Sequence, residues 1–202
     1  MRDASSAKHA RQAYHCLTAC TGCSSEAFAY NPGLKGTYAN RSKILFVLHR
    51  SDSRALSSGG PDAYKQALLE SQTGRVLKEM FNRCGFGLDD IYLTNMFKCL
   101  LPNDREPRRQ EYEKCVSNLE AQVSEFQPRK IVAFGAKPYE LMFPELAEEN
   151  DFTSMLSKVS QYQDVPALIS QHPRRIFGYP LKRRNKYYDR LSDFLEQGNE
   201  KK

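Results

Sequence analysis

Short apolar runs alternate along this chain with longer stretches of helical periodicity, and this alternation narrows the possible folds sharply. The runs rich in β-branched and aromatic residues, which predict strands, are 43–48, 91–95, 130–134 and 167–170. The stretches with apolar residues at helical spacing are 73–84, 110–126, 136–143 and 185–197. Strands that alternate with helices form βαβ units, in which helices cover both faces of a mainly parallel sheet. The sequence therefore predicts an α/β fold.

Size and composition indicate a single domain over 1–202. The 202 residues are 40% hydrophobic, which is enough for a sizeable core. No run approaches the ~18 apolar residues of a membrane-spanning helix, and the first residues lack the apolar stretch of a secretory signal. We therefore expect neither an integral membrane protein nor a secreted one, but a cytoplasmic protein without a membrane partner.

Polar side chains collect after the predicted strands. His49 and Asp52 lie in a polar, Gly/Ser-rich loop predicted at 49–62, Asn95 ends the second strand, and His172 follows the fourth. In open α/β sheets the functional loops lie beyond the carboxyl ends of the strands, so we place the candidate site there. Ordinary structural roles remain open, with Asn95 and Asp52 as turn formers and His172 as a packed surface histidine.

The cysteines indicate a metal or cluster site. Cys20 and Cys23 form a C-x2-C pair, and Cys99 and Cys115 could supply two further ligands. Thiols in the cytoplasm stay reduced, so a cluster of them more often binds metal than forms disulfides. Tetrahedral zinc and an iron–sulfur cluster suit four cysteines equally well, and the spacing does not choose between them.

The excess positive charge is concentrated near the C-terminus, between 172 and 190. Asp189 is the single acid in that stretch, and its basic residues are Arg174, Arg175, Lys182, Arg183, Arg184, Lys186 and Arg190. The net charge of this stretch equals the +6 of the whole chain, and aromatic residues such as Tyr179 are interleaved with it. Such a strip indicates a polyanionic partner, most often nucleic acid, although composition alone equally allows a solvated helix face.

A longer motif makes the chain similar to a known family. Residues 90–99 read D-I-Y-L-T-N-M-F-K-C, and 102–107 read P-N-D-R-E-P. This block resembles the segment V-Y-I-T-N-V-V-K-C-R-P-P-x-N-R-x-P of the iron–sulfur uracil-DNA glycosylases, often called family 4. The similarity continues through Cys115 to S-Q-H-P at 170–173, and it includes the N-terminal C-x2-C pair.

The resemblance implies a three-layer α/β/α fold around a four-stranded parallel sheet, with a [4Fe-4S] cluster bound through residues 1–40 and two later cysteines. Its ligands would be Cys20, Cys23, Cys99 and Cys115. It also implies that DNA is the partner and that the protein is a monomer. In the family, the loop after the histidine enters the minor groove and wedges the base out, so 172–190 would contact DNA. The contacting residues would be Arg174, Arg175, Lys182, Arg183 and Arg184.

The first active-site motif departs from the family pattern. Family members follow the first strand with G-E-x-P-G, whereas 48–52 reads L-H-R-S-D here. The family glutamate, which positions or activates water, falls on His49, and small residues such as Ser51 replace the glycines and the proline. The family phenylalanine that stacks on uracil has no clear counterpart, and Tyr64 could supply an aromatic face instead. These changes predict a rebuilt and roomier base pocket.

Base removal needs donors aimed at the base oxygen and a group that delivers water to the sugar. His172 matches the family histidine that lies against the pyrimidine O2, and the Asn95 amide can read a pyrimidine edge. Asp52 and His49 compete for the water. Asp52 is favoured because a carboxylate also stabilises the cationic sugar, although His49 has the better alignment and could instead contact a substituent on the base.

Three functions follow from the preserved frame and the rebuilt pocket. The first is a DNA glycosylase that excises a modified pyrimidine, for example glucosylated hydroxymethylcytosine in phage DNA, and so creates abasic sites in phage defence. The second is a conventional uracil-DNA glycosylase of base excision repair. The third is a non-catalytic DNA-binding member of the superfamily, which would bind DNA with a strong salt dependence and release no base.

Overall fold

The computed structural model of the protein describes residues 29–30, 34–50, 61–101, 103 and 105–196. Its strands are β1 (Ala29–Tyr30), β2 (Leu34–Lys35), β3 (Ile44–Arg50), β4 (Tyr92–Phe97), β5 (Cys99–Leu100), β6 (Lys130–Phe134), β7 (Val159–Tyr162) and β8 (Val165–Ser170). Its helices are α1 (Ala39–Ser42), α2 (Pro61–Glu70), α3 (Gln72–Arg83), α4 (Arg109–Phe126), α5 (Ala136–Met142), α6 (Pro144–Glu149), α7 (Phe152–Met155), α8 (Pro173–Phe177) and α9 (Leu181–Glu196). No helix in the described ranges is long and apolar enough to cross a membrane.

The main sheet has the strand order β2-β4-β3-β6-β8-β7. The four central strands are parallel, as predicted, and the two outer strands run antiparallel to their neighbours. The prediction of a four-stranded sheet is therefore corrected to a parallel core of four strands with an antiparallel strand at each edge. The edge strands escaped prediction because β2 has two residues and β7 is mostly exposed, so neither forms an apolar run.

Helices cover both faces of this sheet, which confirms the three-layer α/β/α arrangement. α3, α8 and α9 pack on one face, where the rings of Phe46 and Phe81 lie 4.9 Å apart. α4 and α5 pack on the other face, where the rings of Tyr92 and Phe126 lie 5.2 Å apart. The alternation of side chains along β3 and β6 supplies both apolar faces, because successive residues of a strand point in opposite directions.

Some element bounds differ from the prediction in ways that matter for the site. β3 extends to Arg50, so His49 belongs to a strand and not to the predicted loop at 49–62. α2 also begins within that predicted loop, at Pro61, directly after a Gly-Gly pair that is typical of loops. α9 begins at Leu181, ahead of the predicted start at 185, so much of the basic strip is helical.

Candidate active site

A large cavity opens at the edge of the sheet where the parallel strands end. It has a volume of about 1060 Å³, and both His49 and His172 line it. The rest of its wall comes from the segment before α4, the first half of α4, the end of β6, helix α5 and the start of α6. The other polar and charged side chains in the lining include Glu106, Arg109, Tyr112, Glu113, Lys137 and Glu140. The structure therefore places both histidines at the carboxyl edge of the sheet, as the sequence predicted.

His172 is held at the start of α8. It is the N-cap residue, with Pro173 following at the first helical position, and its Nδ1 accepts a hydrogen bond from the backbone N–H of Arg174 at 3.2 Å. Because Nδ1 accepts, the neutral ring carries its proton on Nε2. Burial lowers the pKa of His172 to about 4, with smaller contributions from His49 and Arg174. His172 is therefore a neutral hydrogen-bond donor at physiological pH.

Gly135 lets this histidine approach the end of β6. Its φ of 97° lies in the left-handed region, and a Cβ placed there would lie 3.3 Å from Cβ of His172. A side chain at Gly135 would therefore strain the backbone and press on the histidine. The glycine that follows the third predicted strand thus shapes the cavity wall directly.

His49 contacts a tyrosine that sequence reasoning missed. Its Nε2 lies 2.7 Å from the hydroxyl of Tyr112 in α4, and this hydroxyl donates to Oε2 of Glu106 at 3.2 Å. Burial lowers the pKa of His49, and the nearby Glu106 carboxylate opposes the shift without cancelling it. The ring is therefore neutral near physiological pH, like that of His172.

Two ion pairs shape the loop before α4. Arg50, at the end of β3, places Nη2 3.6 Å from Oε1 of Glu106 and donates from Nη1 to the carbonyl oxygen of Arg105 at 3.1 Å. Arg105 in turn donates through both of its terminal nitrogens to the buried Glu111 carboxylate, at 2.9 and 2.8 Å. Glu111 also accepts from the backbone N–H of Arg108 at 2.7 Å, which caps α4. These contacts fix the wall of the cavity that carries Glu106.

Asn95 does not line this cavity. It lies in register with Leu48 on the neighbouring strand, so it shares the sheet face of Leu48 and points away from the face of His49. Its side chain is buried, with 1% of its surface exposed. The structure therefore brings together the two histidines but not the predicted pyrimidine-reading amide.

Several predicted site residues lie outside the described residues. Asp52 and Ser51 fall in the segment between β3 and α2, and the side chain of Tyr64 is likewise not described. Cys20 and Cys23 precede the first described residue. The roles predicted for these five residues stay predictions.

Cys99 and Cys115 lie in one small apolar cluster with Phe97, Leu101 and Tyr112. β1 pairs with β5 so that Tyr30 lies opposite Cys99, which brings the chain that follows the C-x2-C pair beside this cluster. Within the described ranges, no three potential metal ligands gather, and two of the four predicted ligands lie outside those ranges. The donor chemistry and the path of the chain fit a four-cysteine site.

The basic strip lies on α8 and α9, next to His172. Arg174, Arg175, Lys182 and Arg183 are exposed, and the guanidinium of Arg183 lies 4.0 Å from the ring centre of Tyr179. Arg184 differs, because its Nε lies 3.6 Å from a carboxylate oxygen of Glu79. Arg174 and Arg175 therefore present positive charge next to His172 in the cavity wall, and Lys182 and Arg183 extend it along α9. Arg184 also holds α9 against α3.

The sequence profile of the Uracil DNA glycosylase superfamily matches residues 30–196. The chain belongs to this superfamily. The profile match therefore confirms the resemblance inferred from the motif at 90–99. The matched range includes both histidines of the cavity.

Several curated relatives carry the name Type-4 uracil-DNA glycosylase, and three of them illustrate the similarity. The chain is 37% identical to the protein of Archaeoglobus fulgidus over 114 residues, which cover 56% of this chain and 52% of the relative. It is 37% identical to that of Thermotoga maritima over 103 residues, or 49% and 54%. It is 40% identical to that of Pyrobaculum aerophilum over 62 residues, or 31% and 32%. The matched segments thus span between a third and about half of the length of these superfamily members.

The sequence held only a weak signal for Tyr112 and Glu106. Tyr112 precedes Val116 and Leu119 at helical spacing, which extends the predicted apolar stripe of α4 by one turn toward its start. Glu106 stands beside Pro107, between the predicted strand at 91–95 and the predicted helix at 110–126. The sequence around Tyr112 and Glu106 does not predict a polar contact with His49, because that contact depends on how α4 packs across β3.

Proposed function

We propose that this protein is a DNA glycosylase that takes a base out of the stack and hydrolyses its N-glycosidic bond. The observation that carries the proposal is that His49 and His172 line one cavity in a member of the uracil-DNA glycosylase superfamily. Exposed arginines follow His172 closely in the chain. Extrusion of the base costs a few kcal/mol, which contacts from the protein to the DNA must offset. Arg174 and Arg175 stand next to His172 and are the proposed phosphate contacts, with Lys182 and Arg183 further along α9.

His172 is the proposed donor to the departing base. As the bond between C1′ and the base nitrogen breaks, negative charge builds on the base, and a fixed donor near the base oxygen stabilises it. The backbone N–H of Arg174 holds Nδ1, so Nε2–H faces outward from this anchor as the donor. A neutral imidazole suits this role at physiological pH because its Nε2–H donates a hydrogen bond without the ring being protonated. The hydrogen bond to Nδ1 keeps the ring in one orientation.

Asp52 and His49 are the proposed residues on the sugar side. A water must attack C1′ and give up a proton, and the cationic sugar is stabilised by a nearby carboxylate. Asp52 follows the end of β3 by two residues, and its carboxylate would serve the sugar. His49, which lines the cavity, is the alternative acceptor of the proton from water. Tyr64 stays as a proposed contact to the base, with Ser51 providing room. Asn95, which is buried on the opposite face of the sheet from His49, is not proposed as a base contact.

The proposed substrate is a modified pyrimidine, for example glucosylated hydroxymethylcytosine in phage DNA. The cavity volume of about 1060 Å³ lies just above the range of pockets that hold drug-sized ligands, roughly 300–1,000 Å³, and exceeds the needs of a bare pyrimidine. Carboxylates and ammonium groups in its wall, such as Glu113, Lys137 and Glu140, can bond hydroxyl groups of a substituent. Abasic sites in phage genomes would make the enzyme a phage-defence protein rather than a repair enzyme.

A [4Fe-4S] cluster is the proposed cofactor, held by Cys20, Cys23, Cys99 and Cys115. Support comes from the shared apolar cluster of the last two cysteines and from the pairing of β1 with β5. A bound cluster would tie the N-terminal segment to β5 and α4, which carry Cys99 and Cys115, and would serve a structural purpose. We also propose that the protein acts as a cytoplasmic monomer.

Abasic-site formation on a DNA panel tests the proposal. The panel contains normal, uracil-containing, hydroxymethylated and glucosylated cytosine DNA. Each DNA is tested with the wild type, with His172→Ala and with the control Arg129→Ala, at an exposed residue on the opposite edge of the sheet. We expect release from glucosylated DNA alone, a loss of about 100-fold in the rate of release in His172→Ala, and no change in Arg129→Ala. Release from uracil DNA would assign the protein to base excision repair. Tight DNA binding without release from any member would support the non-catalytic alternative.

A further inference from the structure

The hydroxyl of Tyr112 lies between two groups that impose opposite roles on it. It is 2.7 Å from Nε2 of His49 on one side and 3.2 Å from Oε2 of Glu106 on the other. Arg50 forms an ion pair with the same carboxylate, with 3.6 Å between its Nη2 and Oε1 of Glu106. A charged carboxylate can only accept hydrogen bonds, so the single phenolic proton of Tyr112 goes to Glu106.

This arrangement decides which nitrogen of His49 carries the proton. Since the tyrosine proton is donated to Glu106, the tyrosine oxygen is left to accept, and Nε2 of His49 must be the donor. A neutral imidazole has one N–H, so its Nδ1 is then a hydrogen-bond acceptor. His49 is neutral because burial lowers its pKa.

Tyr112 is itself held firmly. It is 5% exposed, and its ring meets that of Phe97 edge-on at 5.7 Å between ring centres. The Lys137 ammonium lies 5.7 Å from the ring centre, and the ring is nearly parallel to that of His49, with 20° between the two planes. A tyrosine fixed on several sides can hold its partner in one orientation.

We infer that Tyr112 and Glu106 are positioning residues, which hold His49 in the Nε2–H tautomer so that it offers Nδ1 as an acceptor to an O–H group bound at the cavity. The O–H group is the attacking water or a hydroxyl of the base substituent. The chemical part of this inference rests on the proposed glycosylase function. The tautomer of His49 does not, and it can be measured without any substrate.

Nitrogen-15 NMR of the histidine rings tests the tautomer directly. The chain has four histidines, and the signals of His49 are assigned by their loss in His49→Asn. We expect the Nε2–H pattern in the wild type and a shift toward Nδ1–H in Glu106→Ala, where the tyrosine proton becomes available to Nε2. Tyr112→Phe should likewise lose the preference for Nε2–H.

Tyr139→Phe is the matched control. Tyr139 is another buried tyrosine, and its hydroxyl donates to backbone carbonyls of Leu146 and Asn150, at 2.9 and 3.0 Å, instead of to a side chain. This variant should keep the wild-type tautomer of His49. A wild-type His49 with its proton on Nδ1, or a pattern unchanged in both Glu106→Ala and Tyr112→Phe, would overturn the inference. Because Glu106 is an exposed side chain, its removal remains informative even where Tyr112→Phe fails to fold.

Kinetics on the cleaved DNA then separate the two possible O–H groups. If Nδ1 accepts from water, Glu106→Ala lowers kcat about tenfold or more on every cleaved substrate and leaves KM nearly unchanged. If it accepts from the substituent, KM rises on the substituted base only. Unchanged kcat and KM, with a shifted tautomer, would remove the chemical part of the inference. Absence of cleavage in the wild type, with the expected tautomer, would reject the glycosylase function and leave the positioning of His49 standing.

Discussion

At the scale of single residues, His172 should make folding sensitive to acid. Its pKa is lowered from 6.5 to about 4 in the folded protein, so the unfolded chain binds more protons between these values, and the free energy of unfolding falls as the pH drops through that window. The free energy of unfolding is expected to fall by up to about 3 kcal/mol as the pH drops through this window. At a pH above 6.5, the pKa of the histidine in the unfolded chain, no loss is expected.

Urea unfolding of the wild type and His172→Gln across this pH range measures the effect. Subtracting the two curves removes the contributions of the carboxylates and leaves that of His172 with its smaller coupling to His49. A difference between the two proteins that stays constant across the window would show that burial does not lower the pKa of His172.

Gly135 should be intolerant of a side chain because of His172. In Gly135→Ala the new Cβ would lie 3.3 Å from Cβ of His172 at a φ of 97°, and we expect a destabilisation of roughly 1–3 kcal/mol together with lower base release. Gly85→Ala is the control, because Gly85 also has a positive φ of 73° but nothing within 4 Å of its Cβ position. The control should share the loss of stability and keep full activity. Equal activity losses in both variants would contradict the contact with His172.

At the scale of secondary-structure elements, the turn between α2 and α3 depends on Gly74. Ser71 caps α3 by accepting from the Gly74 N–H at 3.0 Å, and a Cβ on Gly74 would lie 1.9 Å from the carbonyl oxygen of Leu68. Gly74→Ala must therefore push α2 away, at a cost of about 1–3 kcal/mol in the free energy of unfolding. Thermal and urea unfolding measure it.

Gly178→Ala is the control for this turn, since its Cβ would meet the nearest atom at an ordinary 3.6 Å. It should change stability much less than Gly74→Ala. A Gly74→Ala protein as stable as the wild type would show that α2 packs less closely on α3 than the structure places it.

The elements that sequence reasoning found are those whose signal is local. β6 has the predicted bounds, Lys130–Phe134, because a compact apolar run precedes a glycine. β7 was missed because its side chains are mostly exposed, and its turn to β8 uses Gln163 and Asp164 with positive φ values of 50° and 63°. Type I′ hairpin turns usually show Asn-Gly or Asp-Gly, so this turn lacks its customary signature.

At the scale of the whole molecule, the cysteine pair should connect the N-terminal segment to the rest of the domain. Cys99→Ser or Cys115→Ser should lose bound iron and lower the melting temperature, because each removes a proposed ligand. Cys84→Ser is the control, since Cys84 packs in the separate core formed with α3 and α9. Iron content and visible absorbance report the outcome, and full iron in Cys99→Ser would reject the proposed ligand set.

DNA binding should depend on the basic strip in a measurable way. Removal of two phosphate contacts in Arg174→Ala/Arg175→Ala should lower the slope of log affinity against log salt by about 2 and weaken binding to every sequence alike. Arg129→Ala, an exposed arginine that precedes β6 at the opposite edge of the sheet from the site, should leave the slope unchanged. Fluorescence anisotropy over a salt series measures both, and an unchanged slope in the double variant would move the DNA contact elsewhere.

The sequence alone predicted the α/β class and the parallel core of the sheet. It also predicted that His49 and His172 lie at one edge of that sheet. Periodicity and the short motifs at strand ends are local properties, and parallel strands bring their carboxyl ends to one edge. The contact between His49 and Tyr112 joins residues 63 positions apart. It exists because α4 packs across β3, and the side of the sheet that Asn95 faces follows from its register with Leu48. Such pairings arise from long-range packing, which no local pattern encodes, and they decide which polar groups meet at the site.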